Sequence, residues 1–381
     1  MKGNFFIMRK KKTFFKKMIF FLISAITILG IAYYLYYTYQ TIDLSSEYKT
    51  SKLNTTVSKQ TTEVVTETSS NIVEVLENVS KCVVGISKIK THSNSIFSNN
   101  SATELGMGTG IVVSSNGYIL SNCHVTGEKL STCYVTLENG YTYDGTVVWS
   151  DSEMDLSITQ INANNLEYAT IGDSSKAKPG ETVYAIGNPI GYEFRRTITS
   201  GIISALNRTI KIEENGTTSY MTDLIQTDAS INQGNSGGPL ILSTGEIIGI
   251  NSVKITTAEG IGFAIPVNAV KPIIEKFIST NSFDEPYLGI YAYDQEVIPY
   301  ILPSANNPEG IYIVHINKDS PVKSTEIQVG DILKSIDGKT ISNMIELREY
   351  IYSKNVGDTI TLEITRGYVT RNYQIVLGRK K

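Results

Sequence analysis

One stretch of the chain has the make-up a nucleophile needs: Gly234-Asn235-Ser236-Gly237-Gly238-Pro239-Leu240. A serine hydroxyl can attack a carbonyl carbon when it is exposed on a tight turn whose backbone N–H groups converge, and glycines permit that backbone. Taken alone, the same residues would also make a plain glycine-rich turn. Serine is a poor nucleophile at neutral pH, so the chemistry demands a general base and a carboxylate to orient it. The chain has three histidines. His315 falls in the C-terminal part and His92 in a polar stretch. That leaves His124, in Ser121-Asn122-Cys123-His124-Val125, directly after the apolar run Tyr118-Ile119-Leu120. Asp155, in Met154-Asp155-Leu156-Ser157-Ile158, opens an alternating strand, where a carboxylate can be buried and aimed at an imidazole Nδ1. Asp151 and Glu153 are its rivals and read as solvent-facing turn residues. The order His, Asp, Ser is the trypsin-like one, not that of subtilisins or α/β-hydrolases.

The elements around these residues are short β-branched runs separated by Gly, Asn, Asp and Ser: Cys82 to Ile86, Gly110 to Val113, Tyr134 to Leu137, Thr182 to Ile186, Gly201 to Leu206 and Ile247 to Ile250. Such spacing predicts an antiparallel barrel or sandwich through about residue 266. Asn116-Gly117 and Asn139-Gly140 are its strongest hairpin signals. A helix is predicted over Val267 to Ser279, with Val270, Ile273, Ile274 and Phe277 on one face. Beyond Tyr287 the pattern is mixed, with strands at Gly310 to Val314, Ile332 to Ile336 and Thr359 to Ile364. A helix near Met344 to Ser353 is opened by the capping box of Asn343 and Glu346.

At 381 residues the chain has room for two folded units. Its formal charge of -3 argues against a general affinity for nucleic acid. The basic residues Lys2, Arg9, Lys10, Lys11, Lys12, Lys16 and Lys17 nevertheless all precede an uncharged apolar run, Met18 to about Tyr37. That run has about the 20 residues needed to cross a bilayer. Positive-inside logic then makes 1–17 a basic cytoplasmic segment, 18–37 a single-pass anchor in the cytoplasmic membrane, and the rest extracellular. A cleaved leader is the competing reading, but bulky tyrosines stand where a peptidase would cut. Residues 38–70, rich in Ser, Thr, Lys and Glu, read as a polar stalk. Cys82, Cys123 and Cys133 are too few for a disulfide framework. They read as small buried residues, with pairing of Cys123 and Cys133 left open.

Together these motifs resemble the HtrA (Deg) serine proteases. Gly108-Thr109-Gly110 leads to Ser121-Asn122-Cys123-His124-Val125, and Asp155-Leu156-Ser157-Ile158 follows. Next come Ala185-Ile186-Gly187-Asn188-Pro189 and the run from Thr199 to Arg208. The longest match is Gln226-Thr227-Asp228-Ala229-Ser230-Ile231-Asn232-Gln233-Gly234-Asn235-Ser236-Gly237-Gly238-Pro239-Leu240, followed by Gly262-Phe263-Ala264-Ile265-Pro266. Gln233 stands where the family usually has proline, and Cys123 where it often has alanine or asparagine.

The resemblance implies an all-β pair of six-stranded barrels, trypsin-like, over 71–280 and a small α+β PDZ domain over 286–381. It implies catalysis by His124, Asp155 and Ser236, an oxyanion hole of the Gly234 and Ser236 backbone N–H groups, and a substrate pocket holding Ser230, Asn251 and Ser252. Ser230 is uncharged, so small or medium aliphatic side chains are expected before the cut. Asn235 leaves no carboxylate for a newly cut N-terminus, which favours control by ordering of the loops near Gly187 to Arg196 and Lys254 to Gly260. Tyr287-Leu288-Gly289-Ile290 resembles the loop by which PDZ domains hold a peptide's C-terminal carboxylate. The implied partners are unfolded or misfolded protein substrates, peptide C-termini, the membrane and a homotrimeric assembly. No metal or organic cofactor is expected. The alternatives are a PDZ-dependent chaperone or adaptor with little proteolysis, and a regulatory protease of membrane signalling proteins.

Overall fold

The computed structural model describes residues 25–34, 36–37, 68–91, 103–187, 197–214, 217–252, 260–301 and 310–380. They fall in two units, 1–64 and 65–381. In the first, residues 25–34 and 36–37 are helical and expose Ile26, Ile28, Leu29 and Ile31. Among the described residues no helix is long and apolar enough to cross a membrane. Residues 1–24 and 35, which include much of the expected span, and 38–67 of the expected stalk lie outside them.

The second unit opens with a helix that the sequence pattern concealed, α1 (Thr68–Lys81). Its β-branched residues lower helix propensity, yet Ile72, Val75, Leu76 and Val79 recur at helical spacing and form its less exposed face. Gly245 lets this face approach, because a Cβ there would lie 2.9 Å from Val75 Cγ1.

Twelve strands then form two closed barrels. The first comprises β1 (Val83–Thr91), β2 (Thr103–Val112), β3 (Tyr118–Ser121), β4 (Thr132–Thr136), β5 (Thr142–Asp151) and β6 (Leu156–Ile161) in the order β1-β2-β3-β6-β5-β4. The second comprises β7 (Thr182–Gly187), β8 (Thr197–Glu214), β9 (Thr217–Thr227), β10 (Pro239–Leu242), β11 (Ile247–Ser252) and β12 (Gly262–Pro266) in the order β10-β11-β12-β9-β8-β7. Asn116-Gly117 and Asn139-Gly140 do turn antiparallel pairs, β2 to β3 and β4 to β5. Gly117 and Gly140 have φ of 91° and 86°, in the left-handed region. Val84, Ile111, Leu120, Val135 and Leu156 fill the first barrel, and Val183, Ile203, Ile225, Leu240 and Ile248 the second. Each such side chain contributes about 1.5–3 kcal/mol of burial, against about 0–1 kcal/mol for a surface ion pair. The barrels are therefore held by their interiors.

The helix predicted from Val267 begins later. Val267–Ala269 is a single 3-10 turn, and after the one-turn helix α2 (Cys123–Thr126) the next continuous helix is α3 (Lys271–Thr280). Pro272 is tolerated only in a helix's first turn, which sets that start. In the C-terminal region β13 (Pro286–Tyr287) pairs with β20 (Gly378–Arg379). The main sheet runs β14 (Ile290–Tyr293), β15 (Ile311–Ile316), β16 (Ile332–Ile336), β18 (Thr359–Arg366) and β19 (Val369–Val376), with β17 (Lys339–Thr340) on β16. Two helices complete it, α4 (Ile298–Ile301) and α5 (Met344–Ser353). Asn343 Oδ1 accepts from Glu346 N at 2.9 Å, the expected cap. Rings tie the parts together: Tyr118 to Phe277 at 5.1 Å, Phe283 to Tyr352 at 5.9 Å, and Trp149 to Tyr352 at 6.5 Å.

Candidate active site

The site begins where β3 ends. Its last residue, Ser121, is followed by Asn122 and by the one-turn helix α2 (Cys123–Thr126), which carries His124. Thr126 Oγ1 donates to Ser157 Oγ at 2.7 Å, tying this turn to β6. Asp155 precedes β6 with φ 55°, a left-handed conformation that Asp tolerates better than most residues. Its side chain is buried. Oδ1 accepts from His124 N at 3.0 Å, Oδ2 lies 2.7 Å from His124 Nδ1, and Oδ2 also accepts from Ser252 Oγ at 3.1 Å. A buried carboxylate with three such partners is satisfied, and it holds the imidazole with Nδ1 as donor.

Ser236 comes from the other barrel, in the segment before β10. Its Oγ stands 3.0 Å from His124 Nε2 and donates to Asn122 Oδ1 at 3.0 Å. Main-chain bonds shape this turn: Gly238 N donates to Asn235 O and Gly237 N to Asn251 O, both at 2.9 Å. Thr109 N reaches across to Ser236 O at 2.9 Å, and Thr109 Oγ1 donates to Gly234 O. Gly234 and Gly237 have φ of 103° and 83°. A Cβ on Gly237 would overlap Thr109 O, and one on Gly238 would overlap Ile186 O. The turn can pack here only because glycine lacks that atom.

Several expected neighbours stand elsewhere. Asp151 is buried, not solvent-facing, and its Oδ1 accepts from Glu153 N and Met154 N, both at 2.9 Å. It shapes the turn before Asp155. His315 lies 5.7 Å from the Tyr291 ring, and His92 is outside the described residues. Of the three pocket residues, Ser230 is solvent-exposed, and its carbonyl accepts from Asn235 Nδ2 at 3.0 Å. Asn251 and Ser252 are buried. Asn251 Nδ2 donates to Pro239 O at 2.9 Å while Ser252 bonds Asp155, so both support the site from behind. Residues 188–196 and 253–259, the loops expected to order, are outside the described residues. Asn122 was overlooked; a polar residue between an apolar strand and the candidate base was the available signal.

The three cysteines are buried and form no disulfide, so Cys123 and Cys133 do not pair. Burial, aided by Glu167 and Glu138, pushes the Cys82 thiol up to about 11, which leaves it inert as a nucleophile.

At the C-terminal region, Tyr287 to Ile290 joins β13 to β14. Gly289 has φ 70° and its carbonyl accepts from Asn317 N at 2.9 Å. β14 ends the sheet order, so an added strand could pair with it. A cavity of about 910 Å³ lies at the seam of this region with the barrels, lined by residues from the Asp151 turn, from β14 and from α5, including Arg348. Asp223 on β9 and Asp294 after β14 are also buried there. Asp223 Oδ2 accepts from Ile345 N at 3.3 Å. Burial, then the neighbouring Asp294 carboxyl, raise the Asp223 pKa to about 7, against the opposing pull of Arg348.

Two closed barrels that bring Ser, His and Asp into one hydrogen-bonded chain, followed by a small sheet domain, define a two-barrel serine peptidase with a PDZ module. Trypsin-like peptidase domains match residues 108–250, and PDZ domains match residues 286–377. The chain is 39% identical over 321 residues to the serine protease Do-like HtrA of Bacillus subtilis (strain 168), covering 78% of this chain and 71% of that protein. Serine protease Do-like HtrA of Lactobacillus helveticus is 37% identical over 290 residues, covering 72% and 69%. Among solved structures, the HtrA-type protease AlgW with a tripeptide superposes with a TM-score of 0.59 at 28% identity, covering 81% of this chain and 97% of that one. The serine endoprotease from Yersinia pestis gives 0.53 at 30% identity, covering 81% and 98%. The chain belongs to the HtrA family of trypsin-like serine proteases with a PDZ domain.

Proposed function

We propose that this serine endopeptidase is anchored in the cytoplasmic membrane and serves protein quality control, cleaving unfolded or misfolded proteins on the extracellular side through an acyl-enzyme. The observation that carries the chemistry is the chain Ser236 Oγ, His124 Nε2, His124 Nδ1, Asp155 Oδ2, with links of 3.0 and 2.7 Å. Ser236 Oγ attacks the scissile carbonyl carbon while its proton passes to His124 Nε2, and Asp155 stabilises the imidazolium without taking a proton. The carbonyl electrons move onto oxygen, where Gly234 N–H and Ser236 N–H act as the oxyanion donors; removing one such donor costs about 2.7–4 kcal/mol. His124 returns its proton to the leaving amine. Water, giving a proton to His124 Nε2, then bonds to the acyl carbon, the Oγ–C bond breaks, and His124 returns that proton to Ser236 Oγ.

The PDZ domain binds peptide C-termini in this reading, supported by the edge position of β14 and the left-handed Gly289. Solved HtrA-type relatives were determined with a tripeptide and a decapeptide. The basic 1–17 segment and apolar 18–37 run support the anchor, with a homotrimer as the expected assembly. Unfolded casein should be cut by the full chain and spared by Ser236→Ala; equal cleavage by the two would refute the protease chemistry. Recovery of the intact chain in the soluble fraction after alkaline washing of membranes would refute the anchor.

A further inference from the structure

The one-turn helix that carries His124 does not use the cap its sequence supplies. Asn122 occupies the N-cap position with φ -81° and ψ 148°, yet its side chain makes no capping bond. An N-cap Asn ordinarily accepts from a first-turn N–H. Here Asp155 Oδ1 takes that place by accepting from His124 N at 3.0 Å. The Asn122 amide, wholly buried, instead spans the site. Nδ2 donates to Asp155 O at 2.9 Å, and Oδ1 lies 3.0 Å from Ser236 Oγ. A carbonyl can only accept, so Nδ2 must face Asp155 O, and Oδ1 must face the serine as an acceptor.

We infer that Asn122 is a positioning residue for proteolysis, which orients the Ser236 hydroxyl and divides its proton between Asn122 Oδ1 and His124 Nε2 in the resting enzyme. The inference rests on the triad reading above. A serine hydroxyl has a single proton, and two acceptors stand 3.0 Å from its oxygen. The amide oxygen is too weak a base to remove that proton, so it fixes the direction of Oγ without replacing His124 in the reaction. On attack the Oγ–H bond breaks, the Nε2–H and Oγ–C bonds form, and the amide is unchanged. Because Nδ2 also grips the Asp155 main chain, one residue registers the nucleophile of one barrel against the carboxylate of the other.

The division of the proton has a signature that plain structural support lacks. Asp155 is the one charged group bonded to His124 among the described residues. With Oδ1 removed, Ser236 donates wholly to His124 and favours neutral imidazole, so the acid limb of the kcat profile moves to lower pH. A carboxylate at 122 draws the proton away and adds negative charge, so the limb moves to higher pH.

The test is kcat and KM for unfolded casein from about pH 5 to about pH 9, using the full-length protein, Asn122→Ala, Asn122→Asp and Ser236→Ala. Asn122→Ala removes two buried hydrogen bonds and should lower kcat at least about tenfold, with KM within about twofold. The acid limbs of the two Asn122 variants should move in opposite directions. Limbs coinciding with wild type, or a change in KM alone, would overturn the inference. If Asn122→Ala does not fold, the limb of the near-isosteric Asn122→Asp decides. Residual wild-type cleavage by Ser236→Ala would instead overturn the triad reading, a separate outcome.

Discussion

The two barrels hold their halves of the site by different means. In the first, His124 and Asp155 are fixed by hydrogen bonds of side chains: the Asp155 carboxylate is bonded by His124 N, His124 Nδ1 and Ser252 Oγ. In the second, Ser236 is fixed by main-chain bonds and by glycines that let Thr109 and Ile186 press against the turn. A half built from side-chain bonds loses function in steps, one partner at a time. A half built on the absence of Cβ atoms fails abruptly when a single methyl is added. Asn122 and Ser252 cross between the halves, so substitutions there test both at once.

The largest effect is expected from Gly238→Ala, whose new methyl would overlap Ile186 O and crowd Asn235 O. Main chain cannot yield as a flexible side chain would. Overpacking typically costs about 1–3 kcal/mol of stability, and displacement of Oγ by about 1 Å costs about 10²-fold in rate. Thermal melting and casein turnover should both fall; unchanged kcat would show that the turn is not held as tightly as its contacts suggest.

Ser252→Ala should do less. It removes one of three bonds to Asp155, and a bond to a charged group contributes about 1.5–3 kcal/mol, so kcat should drop by about tenfold to a hundredfold while KM holds. If KM rose instead, Ser252 would belong to substrate binding, as the family resemblance implies.

The smallest effect on activity is expected at the seam, where a second buried aspartate contrasts with Asp155. Asp155 is surrounded by donors; Asp223 faces another carboxyl, Asp294, and its pKa is raised to about 7. The folded protein binds that proton more tightly than the unfolded chain. Stability from it is therefore complete below the unfolded value near 3.8 and is lost as pH rises through about 7. Two interacting carboxyls titrate as a pair. Denaturant unfolding should show stability falling on the order of 1 kcal/mol between about pH 5 and about pH 8, with the slope reduced in Asp223→Asn. An unaltered slope would assign the titration elsewhere.

How much of this was legible in the sequence depends on whether a signal is local. Scarcity singled out His124, and Ser236 lay in a long motif, so each could be named without coordinates. Asn343 announced its helix because a cap and its partner are three residues apart. Helix α1 was concealed because Ile72, Val75 and Val79 are as common in strands as in helices. Asp151 is buried although its turn reads as solvent-facing, because its bonds to Glu153 N and Met154 N are local and say nothing of what covers it; the bond of Ser252 to Asp155 leaves no local trace because barrel closure joins residues 97 apart. The Asn122 contact with Ser236 spans 114 residues, and only its odd position beside the base hinted at it. Contacts at the seam, such as Trp149 with Tyr352, had no local trace at all.

The central claim is that Ser236 is a nucleophile activated by His124. The most direct measurement is the rate and site of modification by a fluorophosphonate, in which Oγ–P bond formation expels fluoride and His124 takes the proton. Mass spectrometry should find one phosphonyl group on Ser236, with labelling slowed at least about 10³-fold in His124→Ala. An adduct on another residue, or labelling at the wild-type rate without His124, would contradict it.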